Sequence, residues 1–531
     1  MRGVAIPERA VKAWEKLLAI AGTGLLLLGA SFIRRAALPS ANILIAAGEC
    51  HTPATVIDPP AGVAAVGSAI LLHGLGANRR TMTYLGTDFA GHGFRTYMLD
   101  LPGHGDNTDA FTFAKAQECA DLTVGSLIRD GKIDPGKTIL LGHSMGGAIA
   151  VRMADLEPLA ATIALAPAPM AIPRRMPSNL LIFSGQYDLG ILKRQAQTLA
   201  AAAGGERIAP QDFAQQRASA LEVLPHSTHT GPLIDRSVAH RSEQWAMQAL
   251  FPDVGAKTIT LNLDLATYDT FKRGRLRLPG AVLGLLGLAL LFPACATLSG
   301  LAAGLGAGPR FMETSAPGPS QTLAIVEQAV CALISVLIFT VVVPLRFVRL
   351  YDGDYLASLL LFSGSFLLAL NWKYAKGNGL SRLGYRLIAA SAAGIAVVLC
   401  AWAWISWQLS DLWMNQTRWL RFAELLPAAW IFSFAEEVIL GPVGTGRYRA
   451  RRFAVFLVMR LELWLACVLA YYMLGSGQAL IGIIGPGLAS FSIVQRLATD
   501  ALRLRLGSAT AAAAFSAILA AWLIAAVFPL R

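Results

Sequence analysis

The segment that most restricts the fold covers residues 138–151, TILLGHSMGGAIAV. An apolar run ends in GHSMGG and continues as a pattern of small residues at helical spacing. That order predicts a strand, a tight turn and a helix, with Ser144 at the turn. Glycines two residues before and two residues after the serine let neighbouring segments approach closely, as a strained strand-to-helix turn requires. The chain has 50 glycines, so the interpretation depends on what surrounds this motif.

Short β-rich runs alternate with helical stretches from residue 68 onward. The runs are SAILLHG, FRTYMLD, TILLGHS, ATIALAP, NLLIFSG and LEVLP. Strands separated by helices predict the α/β class, a mostly parallel sheet with helices on both faces. In such sheets functional groups gather beyond the C-terminal ends of the strands, which is where we look for the site.

Three residues that follow predicted strands have the chemistry of a catalytic triad. Ser144 is the predicted nucleophile, and Asp188, at the end of GQYD, is the predicted acid. Asp188 is also well suited to cap the next helix, and both roles can hold together. LEVLP is followed by two histidines, of which we favour His229 as the base and keep His226 as the alternative. A serine needs an imidazole to take its proton, and the carboxylate fixes the tautomer of that imidazole.

Backbone donors for a developing oxyanion are expected beside Ser144. The first predicted strand ends in HGLG, where glycines bring the chain close to the group that Ser144 attacks. The N–H groups of Leu75 and Met145 are the predicted oxyanion hole. We interpret His104, in the turn-rich loop DLPGHG, as a structural residue or one at the edge of the pocket.

HGLG, DLPGHG, GHSMGG, the GxxD acid and the STHTG histidine together resemble the α/β-hydrolase fold, in particular its lysophospholipase and serine-aminopeptidase-like branch. The resemblance covers about residues 60–252. It implies cleavage of an ester, thioester or amide bond through an acyl-enzyme, with Leu75 and Met145 in the oxyanion hole. Members of this family often carry a lid after the strand that ends in Ala166 and Pro167. Only PAPMAIPRRMPS fits there, so we expect an open site.

The second half of the chain has a different composition. Of the whole sequence 55% is hydrophobic, and the excess lies in runs of about 17 to 25 residues, the length that crosses a bilayer. The first run covers residues 17–33, and eight more lie near 278–303, 321–345, 355–372, 387–407, 423–443, 453–474, 478–494 and 508–530. We therefore predict a membrane anchor over 1–35, an α/β-hydrolase domain over 36–255, a linker over 256–277 and an all-α transmembrane domain over 278–531. The sequence GIIGPGLAS near residue 486 is interpreted as a broken or re-entrant segment.

Charge and cysteine usage limit the partners and cofactors. The net charge is +12, but the basic residues lie mainly between apolar runs, where they act as topology signals, so we predict no nucleic-acid partner. More Lys and Arg flank the spans on the side of the membrane that holds the N-terminus than on the opposite side. The segment KRGRLR is an exception, because its basic residues lie on the opposite side. This bias predicts a hydrolase domain on the outer side of the membrane. In a Gram-negative bacterium that is the periplasmic side of the inner membrane, which is the location we expect. We predict no disulfide framework, no metal spacing and no cofactor, and the oligomeric state is left open.

The leading hypothesis is a membrane-anchored serine hydrolase that cleaves a lipid or other acyl ester. An acyltransferase with the same triad is the second enzyme hypothesis. Glu436 and Glu437 lie inside one apolar run and Arg460 inside the next, and buried charges in lipid indicate a function or an interhelical pair. The third hypothesis is therefore a transporter or scaffold with an accessory hydrolase-like domain.

Overall fold

Eight strands form one sheet in the computed structural model of the protein. The structure describes residues 8–36, 39–60, 62–155, 158–253, 277–302, 318–338, 347–377, 384–408, 414–444, 447–474 and 479–531. The strands are β1 (Ser40–Ala47), β2 (Cys50–Ile57), β3 (Gly67–Leu72), β4 (Phe94–Leu99), β5 (Thr138–His143), β6 (Ala161–Leu165), β7 (Leu180–Gly185) and β8 (Ser219–Leu224). Their order across the sheet is β1-β2-β4-β3-β5-β6-β7-β8.

Most of this sheet is parallel, as the alternation of strands and helices predicts. Strands β3 to β8 pair in parallel, whereas β1 and β2 form an antiparallel hairpin that joins the edge of β4. Gly48, at a φ of 61°, supplies the positive φ that the two-residue turn of this hairpin needs. The hairpin precedes the first predicted strand and was not among the predicted runs. Because β3 and β5 are neighbours, with Leu72 opposite Gly142, the loop after β3 lies beside Ser144.

The helix α1 (Glu8–Ala36) precedes the first strand. Helices cover both faces of the sheet: α2 (Thr83–Gly91), α3 (Phe113–Arg129), α4 (Met145–Arg152), α5 (Gly190–Ala202), α6 (Pro210–Ala214) and α7 (Arg236–Leu250). One apolar cluster joins Leu181 to Phe89 of α2 and Trp245 of α7. Another joins Leu180 and Ile182 to α4 and α5. Successive residues of a strand point to opposite faces, so the apolar run of β7 is buried on both.

A disulfide connects Cys50 of β2 to Cys119 of α3, across 69 residues of sequence. The prediction of no disulfide framework is therefore wrong for this pair. The two cysteines have no spacing motif, and only the packing of α3 against the hairpin brings their Cα atoms to 5.4 Å. Such bonds persist in oxidising compartments.

The rest of the described chain is helical. Its helices are α8 (Arg277–Ala302), α9 (Gln321–Leu337), α10 (Gly353–Leu370), α11 (Trp372–Gly377), α12 (Gly384–Gln408), α13 (Gln416–Leu440), α14 (Arg447–Leu474), α15 (Ala479–Leu506) and α16 (Ala509–Val527). Every predicted apolar run overlaps a helix. By length and composition, four helical segments among the described residues could cross a membrane: Lys16–Arg34, Gly353–Leu370, Arg447–Ala470 and Ala509–Val527. The predicted break near residue 486 is instead one continuous helix, α15.

The chain divides into two compact units. The hydrolase unit comprises Leu28–Leu283, Trp404–Trp413 and Pro529–Arg531, and the helical unit comprises Met1–Leu27, Gly284–Ala403 and Met414–Phe528. The division falls inside α1 and α8, whereas the sequence places domain boundaries near residues 35 and 278. The predicted linker lies outside the described residues up to residue 276.

Candidate active site

Ser144 occupies a strained turn between β5 and α4. Its φ is 52° and its ψ is −113°, a conformation that non-glycine residues adopt only where the surroundings impose it. A Cβ atom on Gly142 would overlap the Gly146 carbonyl, and one on Gly146 would overlap the Leu72 carbonyl. Both glycines are therefore needed for the turn to close against β3, which explains the composition of GHSMGG.

His229 and Asp188 lie in line with this serine. His229 Nε2 is 3.0 Å from Ser144 Oγ, and His229 Nδ1 is 3.1 Å from Asp188 Oδ2. The other carboxylate oxygen of Asp188 accepts a 2.7 Å hydrogen bond from the Leu189 N–H. Ser144 and Asp188 are buried, while the His229 side chain keeps 12% of its surface exposed. A buried carboxylate that accepts from Nδ1 leaves Nε2 unprotonated toward the serine.

The alternative base, His226, makes other contacts. Its Nδ1 lies 3.2 Å from the Tyr187 hydroxyl, and its backbone N–H donates to Gln186 Oε1 at 3.0 Å. The side chain is exposed, and its φ is 56°. The three residues predicted as nucleophile, acid and favoured base are thus brought together, and His226 is not hydrogen-bonded to them.

The loop after β3 runs close to the serine. A Cβ atom on Gly74 would lie 3.2 Å from Ser144 Cβ and 2.8 Å from His143 Nδ1, so only glycine fits there. The next residue is Leu75, whose N–H is one predicted oxyanion donor. Met145 is the first residue of α4, where a backbone N–H has no acceptor within its own helix. Both backbone N–H groups lie in segments next to Ser144, and their role as the oxyanion hole stays a prediction.

His73 and His104 hold this loop against the loop after β4. His73 Nε2 accepts from the Leu101 N–H at 3.0 Å, so its Nδ1 carries the proton that it donates to the Gly74 carbonyl at 2.8 Å. Burial lowers the pKa of His73 to about 4, which keeps the ring neutral. His104 Nε2 accepts from the Gly76 N–H at 3.2 Å, consistent with its interpretation as a structural residue.

Arg79 and Asp100 reinforce the same two loops. The Asp100 carboxylate accepts from the Arg79 N–H at 2.7 Å and forms a buried ion pair with the Arg79 guanidinium. Burial raises the pKa of Asp100, and the charge of Arg79 opposes that rise. This pair fixes the backbone that carries the predicted oxyanion donor.

Sequence reasoning missed the role of His143. Its Nε2 lies 3.0 Å from the His229 carbonyl oxygen, so the ring donates to the backbone of the residue beside the serine. Burial, followed by the proximity of His229, lowers the pKa of His143 to about 3. The position directly before the serine was the available signal, since residues of the turn are the ones that can reach the histidine loop.

One group of side chains among the described residues has the composition of a metal site. Possible ligand atoms of Asp88, His92 and Glu243 lie within 4.8 Å of one another. His92 Nε2 is 3.2 Å from Glu243 Oε2, so a contact between α7 and the residue that follows α2 accounts for this group. None of the three residues belongs to the triad.

Comparison with known proteins supports the fold. Residues 69–295 match the model described as the alpha/beta hydrolase family. Together with the sheet, this match shows that the chain contains an α/β-hydrolase domain. The match does not distinguish the branch, so the lysophospholipase and serine-aminopeptidase-like assignment stays a prediction.

Individual relatives are distant. A Mycobacterium phage D29 protein named "Putative non-heme haloperoxidase" is 32% identical over 100 residues, 18% of this chain and 35% of that protein. A Mycoplasma genitalium protein named "Putative esterase/lipase 2" is 32% identical over 102 residues, 19% of this chain and 37% of that protein. The chain thus spans about a third of the length of the curated relatives it matches. Among solved structures, a serine α/β-hydrolase without a lid from Xanthomonas campestris is 15% identical, with a TM-score of 0.32 over 40% of this chain and 93% of that chain.

A second set of predicted residues meets in the helical unit. The predicted pair involves Glu436 or Glu437 with Arg460, and Arg460 Nη2 lies 2.9 Å from Glu436 Oε1. Glu437 instead contacts three other arginines. The residues of this charged cluster are Glu436, Glu437, Arg452, Arg460, Arg496, Asp500 and Arg503.

Proposed function

We propose that the protein is a membrane-bound serine hydrolase that cleaves carboxylic esters of apolar acyl chains. The observation that carries this proposal is the continuous hydrogen-bonded line from Ser144 Oγ through His229 to Asp188, at 3.0 and 3.1 Å, on a strained turn of an α/β-hydrolase domain. A serine in such a line is activated for attack on a carbonyl carbon.

In the first half of the reaction the acyl group is transferred to the enzyme. His229 Nε2 takes the Ser144 proton while Oγ forms a bond to the ester carbonyl carbon, and the carbonyl oxygen becomes an oxyanion. The N–H groups of Leu75 and Met145 donate to that oxyanion, and Asp188 stabilises the imidazolium. His229 then gives the proton to the leaving alkoxide, which departs as the alcohol and leaves an acyl-Ser144 ester.

In the second half water repeats the same steps. His229 takes a proton from water, the hydroxide attacks the acyl carbon, and the same two N–H groups hold the second oxyanion. Ser144 Oγ leaves and recovers its proton from His229, and the carboxylic acid is released. His143 positions the base throughout, because it holds the backbone carbonyl of His229.

The preference for an apolar acyl chain rests on the residues next to the triad. Tyr187 and Leu189 flank the acid, Ile191 follows it, and Ile234 follows the base, all with exposed side chains. Exposed apolar side chains clustered in sequence around an active site indicate a surface for an apolar partner. The connection between β6 and β7 has no helix, which agrees with an open site. The name of the Mycoplasma genitalium relative also indicates an ester or lipid substrate.

The proposed location is a membrane, with the hydrolase unit on the oxidising side. Four helical segments could cross a bilayer by length and composition. The Cys50–Cys119 disulfide lies in the hydrolase unit, and disulfides are rare in reducing cytosol. This favours the periplasmic face that the Lys and Arg bias predicts, with a lipid or acyl ester as substrate.

A chain-length series of p-nitrophenyl esters tests the proposal. We expect purified full-length protein to hydrolyse esters and to prefer medium or long acyl chains over acetate. Ser144→Ala should abolish turnover, whereas Ser237→Ala, an exposed serine of α7, should leave it unchanged. Turnover that survives in Ser144→Ala contradicts the proposed nucleophile, and a preference for acetate contradicts the substrate class. Acyl transfer uses the same triad, so product analysis with added alcohols and lipids separates the acyltransferase alternative.

A further inference from the structure

The helical unit contains a cavity that is separate from the candidate active site. Its volume is about 140 Å³, and residues of α10, α13, α14, α15 and α16 line it. Most of the lining is apolar, as at Leu356, Leu463 and Phe491. An apolar space of about this size can take up small hydrocarbon groups. Such a space suits part of an acyl chain.

Five side chains in this lining can form hydrogen bonds. Ser492 and Gln495 donate to Ala489 and Ser516. The other three donors belong to Arg460, Ser433 and Trp464. Arg460 lines the cavity, and its hydrogen bond to Glu436 Oε2 and its ion-pair contact with Glu436 Oε1 both use Nη2. Its Nη1 and Nε donate to no acceptor in the part of the chain that the structure describes, and 18% of its side chain is exposed. Ser433 is 95% buried in the same wall.

Trp464 supplies the third donor. Its indole N–H is buried and makes no hydrogen bond to any residue the structure describes. Gly485 lies against the indole, because a Cβ atom there would overlap Nε1. A buried donor without an acceptor costs free energy, so a ligand that accepts from the Trp464 indole is stabilised. Three donors around one apolar space call for an anionic or strongly accepting head group.

We propose that this cavity binds the carboxylate end of a single-chain fatty acid. The planar carboxylate matches the free edge of the Arg460 guanidinium and leaves lone pairs for Ser433 and Trp464. The first methylene groups fill the apolar space. The rings of Phe432 and Phe456 lie 5.2 and 4.8 Å from the Arg460 guanidinium carbon, and Glu436 forms an ion pair with Nη2, so the cation is held before the ligand arrives.

The proposed fatty-acid site does not depend on the proposed catalysis. Its link to the hydrolase unit does rest on the proposed function, because cleavage of an acyl ester releases this class of carboxylate. The experiment is therefore done in the Ser144→Ala background, where no acyl ester is turned over. Loss of fatty-acid binding and loss of esterase activity are then independent results.

The test measures palmitate binding to the full-length protein in phosphatidylcholine nanodiscs. We expect saturable binding, and Arg460→Gln should weaken it about tenfold or more, because a charge-assisted hydrogen bond is lost. Ala489→Phe, which fills the cavity from an exposed lining position, should weaken it similarly without touching the charged cluster. Arg451→Gln, an exposed arginine of α14 outside the lining, is the matched control and should bind like the parent.

Ligand analogues test the head group. Hexadecanol should compete poorly, because it lacks the charge that Arg460 recognises. Competition by hexadecyl phosphate that exceeds palmitate would overturn the carboxylate assignment in favour of a phosphate head group. Equal binding of palmitate by the parent and by both cavity variants would overturn the site. A diazirine palmitate that labels α13, α14 or α15 in the parent and not in Ala489→Phe would support it.

Discussion

Replacing Asp188 by asparagine tests the proposed triad through the hydrogen bonds of a single side chain. Two donors converge on the Asp188 carboxylate: the Leu189 N–H at 2.7 Å and His229 Nδ1 at 3.1 Å. A carboxylate accepts both bonds, but asparagine has only one acceptor oxygen. In Asp188→Asn, therefore, one of the two donors must face an NH₂ group.

The backbone donor decides the outcome. The Leu189 N–H cannot lose its proton, so the amide oxygen turns to it and the NH₂ group turns to His229. The imidazole of His229 then carries its proton on Nε2 instead of Nδ1. A protonated Nε2 facing Ser144 Oγ cannot accept the proton of the serine. Loss of the correct tautomer lowers kcat by about 10³- to 10⁴-fold in triads of this kind, which corresponds to about 4 to 5.5 kcal/mol of barrier.

The assay is ester hydrolysis, with kcat and KM determined separately. We expect kcat to fall by that factor and KM to change little, since Asp188 does not touch substrate. Asp130→Asn, an exposed aspartate after α3, is the control and should keep parental kinetics. A kcat of Asp188→Asn within about tenfold of the parent would refute the tautomer argument.

Three further predictions follow from the hydrolase unit. His229→Ala should remove activity to the level of Ser144→Ala, while His226→Ala should keep most of it, and equal loss in both variants would leave the base unassigned between them. Cys119→Ser should destabilise the hydrolase unit by about 4 kcal/mol, because the bond closes a loop of 69 residues; hydrogen exchange in β2 that is as slow as in the parent would contradict this. Burial lowers the pKa of His73 from 6.5 to about 4, so its neutral ring contributes stability above pH 6.5 that is lost as the pH falls toward 4. The protection factors of the β3 amides, which correct for the slower intrinsic exchange at lower pH, should fall over that interval, and His73→Gln should reduce the fall.

The fold of the first half and the arrangement at Ser144 were accessible from local sequence. Six apolar runs each end in turn residues, and the parallel order of such strands brings their C-terminal ends together. Ser144, Asp188 and His229 were placed on those ends without knowledge of the sheet order. The choice of His229 over His226 followed from loop length, and the structure adds the contact that loop length cannot give, from His143 to the His229 carbonyl.

Features that depend on packing between distant segments could not be predicted from the sequence. Cys50 and Cys119 meet because α3 packs against the hairpin of β1 and β2. The alternation of strands and helices from residue 68 onward does not predict that hairpin. The charged cluster of the helical unit was seen in part, since Glu436 and Arg460 lie in consecutive apolar runs. Arg496, Asp500 and Arg503 belong to this cluster because α15 is one continuous helix. Helical continuity there also replaces the broken segment expected near residue 486.

Covalent labelling by a fluorophosphonate tests the central claim most directly. Purified full-length protein is treated with the probe, and the modified peptide is identified by mass spectrometry for the parent and for Ser144→Ala. The account predicts one modified residue, Ser144, and no labelling of the variant. A folded parent protein that does not react, or that reacts at another serine, would contradict an activated Ser144 and with it the proposed hydrolase mechanism.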